Sequence, residues 1–300
     1  MNEKKFKSGF AAIVGMPNVG KSSLLNTIAG QKIAIISDKP QTTRNKILAI
    51  YTTDEEQIIF TDTPGIHKPH NKLGEFMVSE AKQTVNDTDI VIFVVDATRK
   101  IQDMERSIAE DLNKCGLPCI LVINKIDLVK KENLLPLIAD YSSMTEFAGV
   151  VPISAKTGDG VELLLNDIRE YLVEGPKFYY DDMVTDQPEK QIAAEIIREK
   201  LLWTLDKEVP HGIAIEIEKM HEKKNITSIN AVIYCEKASH KGIVIGKNGE
   251  MLKKVGSMAR TDIEKMLDKK VYLELWVRVK SDWRNSNFLM KNFGYTKGEE

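Results

Sequence analysis

The sequence of 300 residues lacks the features of exported, membrane-spanning and disulfide-rich proteins. Its first residues, Met1–Lys7, contain no apolar core of the signal-peptide type, and no apolar run of about 18 residues occurs. The three cysteines, Cys115, Cys119 and Cys235, are an odd number without metal-type spacing. We therefore expect a reduced, cytosolic protein without a signal peptide or a membrane span, which leaves peripheral membrane contact open.

Charge is nearly balanced over the whole chain but unevenly distributed along it. The formal net charge is −2, yet residues 241–300 contain 13 Lys and Arg against 8 Asp and Glu. The chain is long enough for two domains, and 42% hydrophobic with 29% charged residues is typical of globular proteins. The basic C-terminal part indicates a polyanionic partner there, with a solvated lysine-rich surface as the alternative.

A glycine-rich segment near the N-terminus matches the phosphate-loop pattern Gly-x-x-x-x-Gly-Lys-Ser. It follows a strand-like apolar run, Phe10–Val14, and precedes a helix-like run that Gly30 ends. This context distinguishes the segment from an ordinary glycine turn. Backbone N–H groups would bind phosphates, Lys21 would reach the β- and γ-phosphates, and the Ser22 hydroxyl would hold Mg²⁺. The predicted loop comprises Gly15, Met16, Pro17, Asn18, Val19, Gly20, Lys21, Ser22 and Ser23.

Further motifs follow at the ends of later predicted strands. Asp62 is placed to hold the Mg²⁺ shell, and the Gly65 N–H to bond the γ-phosphate. The Asp127 carboxylate can accept both N1–H and the 2-amino group of guanine, a pair that adenine does not offer. Asn124 can bond the far edge of the base. The nucleotide contacts predicted from these motifs are Asp62, Thr63, Pro64, Gly65, Asn124, Lys125, Asp127, Ser154, Ala155 and Lys156.

Strands and helices alternate over residues 9–173, which predicts a doubly wound α/β domain with its ligand at the carboxyl ends of the strands. In order and spacing the motifs resemble those of the translation-factor-related GTPases. The resemblance implies GTP hydrolysis with GTP or GDP and Mg²⁺ as cofactors. It adds Thr42 and Thr43 to the nucleotide site and leaves open which of the two meets the metal. The metal ligands that it implies are Ser22, Thr43 and Asp62, and the catalytic residues are Asn18, Lys21, Thr43 and Gly65.

One residue departs from the pattern of small GTPases. Ile66 stands where many of them carry a catalytic glutamine, so water activation must come from elsewhere. One hypothesis, by resemblance to GTPases with an asparagine in the loop, is a K⁺ ion held by Asn18 and by carbonyl groups of Thr42 and Thr43. The alternative is an activating protein or RNA.

A proline-bounded acidic connector, residues 174–189, separates the predicted GTPase domain, residues 1–173, from residues 190–300. The second part has the order α-β-β-α-α-β and resembles a type II KH domain. Its Gly246-Lys247-Asn248-Gly249 lies between two predicted helices, where a KH domain holds about four nucleotides. Lys253, Lys254 and the basic surplus favour RNA binding over a plain helix–helix turn.

The C-terminal tail offers further candidate RNA contacts. Lys280 and Arg284 supply positive charge, and the Trp283 ring would stack on bases. The alternative for Trp283 is a role in closing the domain core.

The two halves together resemble the bacterial ribosome-assembly GTPases. That resemblance implies a monomer that binds small-subunit (16S) ribosomal RNA near its 3′ end, assists 30S assembly and associates loosely with the inner membrane. A tRNA-modifying GTPase would need a second catalytic constellation, which isolated cysteines and five scattered histidines do not supply. A pure signalling switch would need no Gly-x-x-Gly.

Overall fold

The computed structural model describes residues 5–66, 69, 71–207 and 209–295. The His, Pro, Lys and Asn content of residues 66–73 predicts a mobile loop, of which His67, Lys68 and His70 lie outside the described residues. Contacts divide the chain into two compact units, with the last boundary between Asp186 and Gln187. The division is not one cut, because residues 35–42 and 69–76 group with the second unit.

A seven-stranded sheet forms the centre of the first unit. Its strands are Lys7–Val14 (β1), Ile47–Thr52 (β2), Glu56–Asp62 (β3), Ile90–Asp96 (β4), Cys119–Asn124 (β5), Gly149–Pro152 (β6) and Val173–Glu174 (β7). The order is β2-β3-β1-β4-β5-β6, parallel except for β2, and β7 pairs antiparallel with the start of β1. The parallel strands therefore all end at the edge where the predicted motifs lie.

Helices cover both faces of this sheet. They are Lys21–Ala29 (α1), Lys72–Asn86 (α2), Asp103–Cys115 (α3), Leu134–Ser142 (α4) and Val161–Arg169 (α5). Ala11 and Ile13 of β1 pack in the core with α1 and α5, whereas Ala12 and Val14 pack with α2, α3 and α4. Because successive side chains of a strand point to opposite faces, an unbroken apolar strand serves two cores. The predicted doubly wound α/β fold is confirmed.

Most of the connector after α5 is attached to the first unit. The Gln57 side-chain oxygen accepts the N–H groups of Phe178 and Tyr179 at 2.7 and 3.0 Å. The Val184 carbonyl accepts the Ile50 N–H at 2.9 Å. These bonds, together with β7, hold the connector up to Val184 on the first unit.

The second unit is a three-stranded sheet with its first three helices on one face. Its elements are Glu189–Thr204 (α6), Ile213–Glu222 (β8), Ile226–Cys235 (β9), Ala238–Ile245 (α7), Glu250–Leu267 (α8), Lys270–Val279 (β10) and Asn287–Asn292 (α9). The sheet order is β10-β9-β8, with β9 and β10 parallel and β8 antiparallel. The predicted order α-β-β-α-α-β is confirmed, and α9 is an addition that the sequence analysis did not foresee.

Residues 35–42 pack on α6. The Ile36 N–H donates to Glu199 Oε1 at 2.9 Å, and Trp203 Nε1–H donates to the Ile36 carbonyl at 2.9 Å. The buried Arg198 guanidinium donates to the Thr42 carbonyl. From its polar composition, the segment of residues 39–44 is predicted to be mobile. The structure differs, because these bonds hold the backbone at Ile36 and Thr42.

The helices of the described residues include none with both the length and the apolar character needed to cross a bilayer. All three cysteines are free thiols, with Cys115 exposed and Cys119 and Cys235 buried.

Candidate functional site

The phosphate loop joins β1 to α1, as predicted. Lys21 is buried, and its Nζ donates to the carbonyl groups of Gly15 and Met16 at 3.2 and 3.0 Å. Burial lowers the pKa of Lys21, and the charge of Asp62 opposes that effect. Gly20 has φ 102°, and a Cβ there would lie 2.1 Å from Asn124 Nδ2, so the position admits only glycine. The loop thus encloses a buried ammonium group, an arrangement suited to an anion.

Three oxygen-bearing side chains meet beside this lysine. Ser22 Oγ donates to Asp62 Oδ2 at 2.5 Å and lies 3.0 Å from Thr43 Oγ1. The Thr42 hydroxyl instead donates to the Lys39 carbonyl at 2.5 Å. Of the two threonines, Thr43 is therefore the one whose side chain lies at the predicted metal position.

Asp62 has a carboxylate oxygen that is suited to bind a metal ion. Its Oδ1 is buried and has no hydrogen-bond partner among the described residues. Burial raises the pKa of Asp62 to about 6, against the lowering effects of Lys21, Ser22 and Thr43. One carboxylate and two hydroxyls are hard oxygen donors of the kind that Mg²⁺ prefers, and Mg²⁺ takes its remaining ligands from water and substrate phosphates.

Asn124 joins three of the predicted motifs. Its Nδ2 donates to the Val19 carbonyl at 2.8 Å, and its Oδ1 accepts the N–H groups of Lys125 and Ala155 at 2.8 and 2.9 Å. The residue is 2% exposed. An amide nitrogen has two hydrogens, so one remains for the edge of a base. The role of Asn124 is therefore wider than the base contact predicted from sequence.

Asp127, the predicted guanine acceptor, is oriented by its neighbours. Ser154 Oγ donates to Asp127 Oδ1 at 2.7 Å, and the Ala155 carbonyl accepts a hydrogen bond from Thr27 Oγ1 at 2.6 Å. Lys156 is exposed. Thr27, on α1, fixes the predicted base-contacting segment to the helix of the phosphate loop, and sequence reasoning missed it.

Asp96 is a second residue of the site that sequence reasoning missed. Its Oδ2 lies 2.6 Å from Lys125 Nζ, which also donates to the Asn18 carbonyl at 2.8 Å. Burial acts to raise the pKa of Asp96, but hydrogen bonds from Lys125 and Thr98 outweigh it and lower the pKa. Asp96 could have been found from its position in the sequence, because it ends the strand next to the one that Asn124 ends.

The residues after Asp62 return to the phosphate loop. A Cβ at Gly65 would lie 2.9 Å from Pro17, so the backbone passes close to the loop. The Ile66 N–H donates to the Gly15 carbonyl at 3.3 Å, and the Ile66 side chain packs against the core on the α2–α4 face. An apolar side chain in that place does not orient a water molecule.

The Gly246–Gly249 loop connects α7 to α8 through three residues with positive φ. Gly246 has φ 74°, and a Cβ there would lie 2.6 Å from the Met251 Cβ. Asn248 and Gly249 also have positive φ, at 51° and 78°. This conformation leaves the side chains of Lys247 and Asn248 exposed, as a loop that contacts a nucleic-acid backbone requires.

A groove of about 440 Å³ begins at this loop, between α8 and β10. Leucine side chains form its apolar lining, and Lys253 and Arg260 supply positive charge. The lining residues are Gly249, Leu252, Lys253, Gly256, Ser257, Arg260, Leu273 and Leu275. Lys254 is exposed on the same helix. Sequence reasoning found the loop and the lysines but not the leucines.

The base-stacking prediction for Trp283 is wrong. Its ring is fully buried, Nε1–H donates to the Gly212 carbonyl at 2.9 Å, and the ring packs against Phe293 and Tyr295. Trp283 therefore closes the core, the alternative stated above. Arg284 pairs with Glu236 at 2.5 Å, whereas Lys280 is exposed, and the RNA contacts of both stay predictions.

Two family models match the chain, one in each part. The model described as "50S ribosome-binding GTPase" matches residues 10–125, and the model described as "KH domain" matches residues 208–284. GTPase Era of Ruminiclostridium cellulolyticum is 53% identical over 97% of this chain and 98% of its own length. GTPase Era of Clostridioides difficile is 55% identical over 97% of this chain and 99% of its own length.

Solved structures agree over the same extent. A variant of Aquifex aeolicus Era bound to GDP and AlF4⁻ gives a TM-score of 0.94 at 41% identity, covering 97% of this chain and all of that one. Era in complex with MgGDPNP and nucleotides 1506–1542 of 16S ribosomal RNA gives the same TM-score, identity and coverage.

Proposed function

The chain belongs to the family of GTPase Era, a hydrolase of GTP, and from this membership we propose that it binds 16S ribosomal RNA near its 3′ end and assists assembly of the 30S subunit. The observation that carries the proposal is the pairing, in one chain, of a guanine-nucleotide site with a Gly-x-x-Gly loop that opens onto a groove with lysine and arginine at its rim. The nucleotide state would then govern when the RNA is held.

The nucleotide site would work mainly by position and charge. Lys21 and the loop N–H groups bind the phosphates, and Asp127, oriented by Ser154, selects guanine. Ser22, Thr43 and Asp62 would hold Mg²⁺, which when bound neutralises charge on the β- and γ-phosphate oxygens. Gly65 brings a backbone N–H to the γ-phosphate.

The group that replaces the missing glutamine is part of the proposal. We propose a K⁺ ion held by Asn18, which would compensate charge where other systems insert an arginine. Carbonyl groups of Thr42 and Thr43 would complete the shell of the ion, and the Thr42 carbonyl, which accepts a hydrogen bond from Arg198, keeps a second lone pair for it. GTP turnover in KCl and in NaCl at equal ionic strength, for the wild type and Asn18→Ala, tests this. Equal rates in both salts would reject the ion in favour of a protein or RNA activator.

The RNA part is tested by crosslinking the chain to total cellular RNA and sequencing the bound fragments. We expect fragments from the 3′ end of 16S RNA with the wild type. These fragments should be lost in the double variant Lys247→Asp with Asn248→Asp, whose unfolding temperature should equal that of the wild type. Enrichment of tRNA, or an undiminished yield from the double variant, would contradict the proposal.

The guanine assignment is tested separately. Asp127→Asn should weaken GTP by about 10- to 150-fold, the cost of one charged hydrogen bond, and favour xanthosine triphosphate. Unchanged GTP affinity would end the assignment.

The place of the protein in the cell completes the proposal. The family implies a cytoplasmic monomer with loose association to the inner membrane, and this part rests on the family alone. Co-sedimentation of the monomer with vesicles of anionic phospholipid, against vesicles of neutral lipid, tests it, and equal recovery with both would remove the membrane from the proposal.

A further inference from the structure

The strand β10 has two different faces. Leu273 and Leu275 line the groove beside α8. Tyr272 and Trp276 alternate with them and therefore point to the opposite face of the sheet. Both rings are more than half exposed, 58% for Tyr272 and 55% for Trp276. Two large aromatic side chains in water on one strand indicate a surface that contacts a partner.

The surroundings leave the two rings open. In the register of the sheet, Tyr272 lies beside Ser228 and Trp276 beside Val232, both smaller side chains. The C-terminal segment covers a different part of this face, where the Phe293 ring lies 4.8 Å from that of Tyr234. The rings of Tyr272 and Trp276 thus stand above the sheet beyond the area that the tail covers.

Two charged groups between and beside the rings have hydrogen-bond partners on the other strands of the sheet. Glu274, which lies between them on β10, accepts a hydrogen bond from Asn230 at 2.7 Å, and Arg278 pairs with Glu218 at 2.7 Å. Lys270 and Lys280, at the two ends of the strand, are exposed. The surface therefore offers aromatic rings with lysines at both ends, the combination that binds single-stranded nucleic acid.

The groove and the rings lie on the two faces of β10, and β10 is an edge strand of its sheet. A chain leaving the groove past Leu275 meets Trp276 after crossing a single strand. A KH groove holds about four nucleotides, and the RNA segment of the proposed function extends beyond that.

We propose that Tyr272 and Trp276 form a stacking platform for RNA bases that flank the nucleotides in the groove. The proposal rests on the proposed RNA binding and extends the interface to the outer face of β10. The rings are four residues apart, about 13 Å along the strand. Each ring therefore stacks on a separate base. Because every base has a face that stacks, the platform would raise the affinity for longer RNAs without selecting their sequence.

The experiment measures binding of two labelled RNAs, one of about four nucleotides that fills the groove and one that runs several nucleotides past it on either side. Trp276→Ala and Tyr272→Ala should each weaken the longer RNA by about 5- to 150-fold and leave the shorter one unchanged. Trp276→Phe should restore most of the loss. The matched control is Tyr180→Ala, which removes an exposed aromatic ring from the first unit.

A second readout locates the contact. Saturation with the longer RNA should quench tryptophan emission in the wild type, and the quenching should largely disappear in Trp276→Phe, which still binds. Unchanged affinity for the longer RNA in both alanine variants would overturn the platform, and so would an equal loss with both RNAs. A wild-type chain that bound neither RNA would overturn the proposed function as well.

Discussion

The protonation state of Asp62 affects both the stability of the fold and the predicted binding of the metal ion. Burial raises its pKa from 3.8 to about 6, so the folded protein binds a proton more tightly than the unfolded chain does. In the nucleotide-free protein, stability should therefore fall as pH rises from about 4 to about 6, by about 3 kcal/mol, and change little from this group at higher pH.

The measurement is the free energy of unfolding across this pH range for the wild type and for Asp62→Asn. The variant has no carboxylate at that position, so the difference between the two curves isolates the contribution of Asp62 from the other acids. A wild-type curve parallel to that of the variant would contradict the raised pKa.

The positions of candidate site residues were predictable where these residues belong to short contiguous sequence motifs. Lys21, Asp62 and Asp127 follow from spacing because each stands at a fixed distance from a glycine or an asparagine that shapes the local backbone. Asp96 and Thr27 were not predictable in this way, since their roles depend on the register of other strands and helices. The Trp283 ring was ambiguous because stacking on bases and closing a core require the same side chain.

At the level of elements, α6 is the helix that holds residues 35–42. Arg198 is buried, and it donates to Glu195 as well as to the Thr42 carbonyl. We expect Arg198→Ala to destabilise the second unit by about 3–5 kcal/mol, because it leaves Glu195 without its cation and the carbonyl without its donor. We also expect faster hydrogen exchange in residues 35–42.

Hydrogen exchange followed by mass spectrometry measures this effect segment by segment. Arg198→Lys should give an intermediate rate, since it keeps the charge but loses the two-pronged donor. Arg106→Ala, at an exposed arginine of α3, is the matched control. Protection of residues 35–42 that survives Arg198→Ala would show that Glu199 and Trp203 suffice to hold the segment.

The sequence predicts strands over residues 89–95 and 118–123 and a helix over residues 250–267, which lie within one residue of β4, β5 and α8, whereas the short elements β7 and α9 were not predicted. The apolar runs of β4 and β5 and the periodic α8 needed no tertiary information. The strand β7 has two residues and exists because β1 is there to pair with it. The sequence predicts a helix from about residue 75 to 85, whereas α2 begins at Lys72. The Asn71 Oδ1 accepts the Gly74 N–H and so extends the helix by one turn.

On the scale of the whole molecule, charge is segregated along the chain. The net charge of −2 conceals the surplus of positive charge in residues 241–300. We expect the affinity for RNA to fall steeply as the salt concentration rises. Lys253→Gln should lower the slope of log K, where K is the binding constant, against the logarithm of the salt concentration by about 0.7, the value for one phosphate contact on a single strand. Lys114→Gln, at an exposed lysine of the first unit, should leave the slope unchanged.

The bond between Ile36 and Glu199 joins residues 163 positions apart. A ribosome that adds about 5–20 residues per second needs roughly 10–30 seconds to make the chain between them. For that interval the nascent first unit can complete its sheet, while residues 35–42 have no α6 on which to settle. The backbone leading into Thr43 is therefore among the last parts of the nucleotide site to acquire its final path. A chain interrupted before α6 would contain the phosphate loop and the guanine-selecting residues, but Thr43 would not be held in its final position. The predicted metal-binding residues Ser22, Thr43 and Asp62 can therefore come together only once the RNA-binding half is being synthesised.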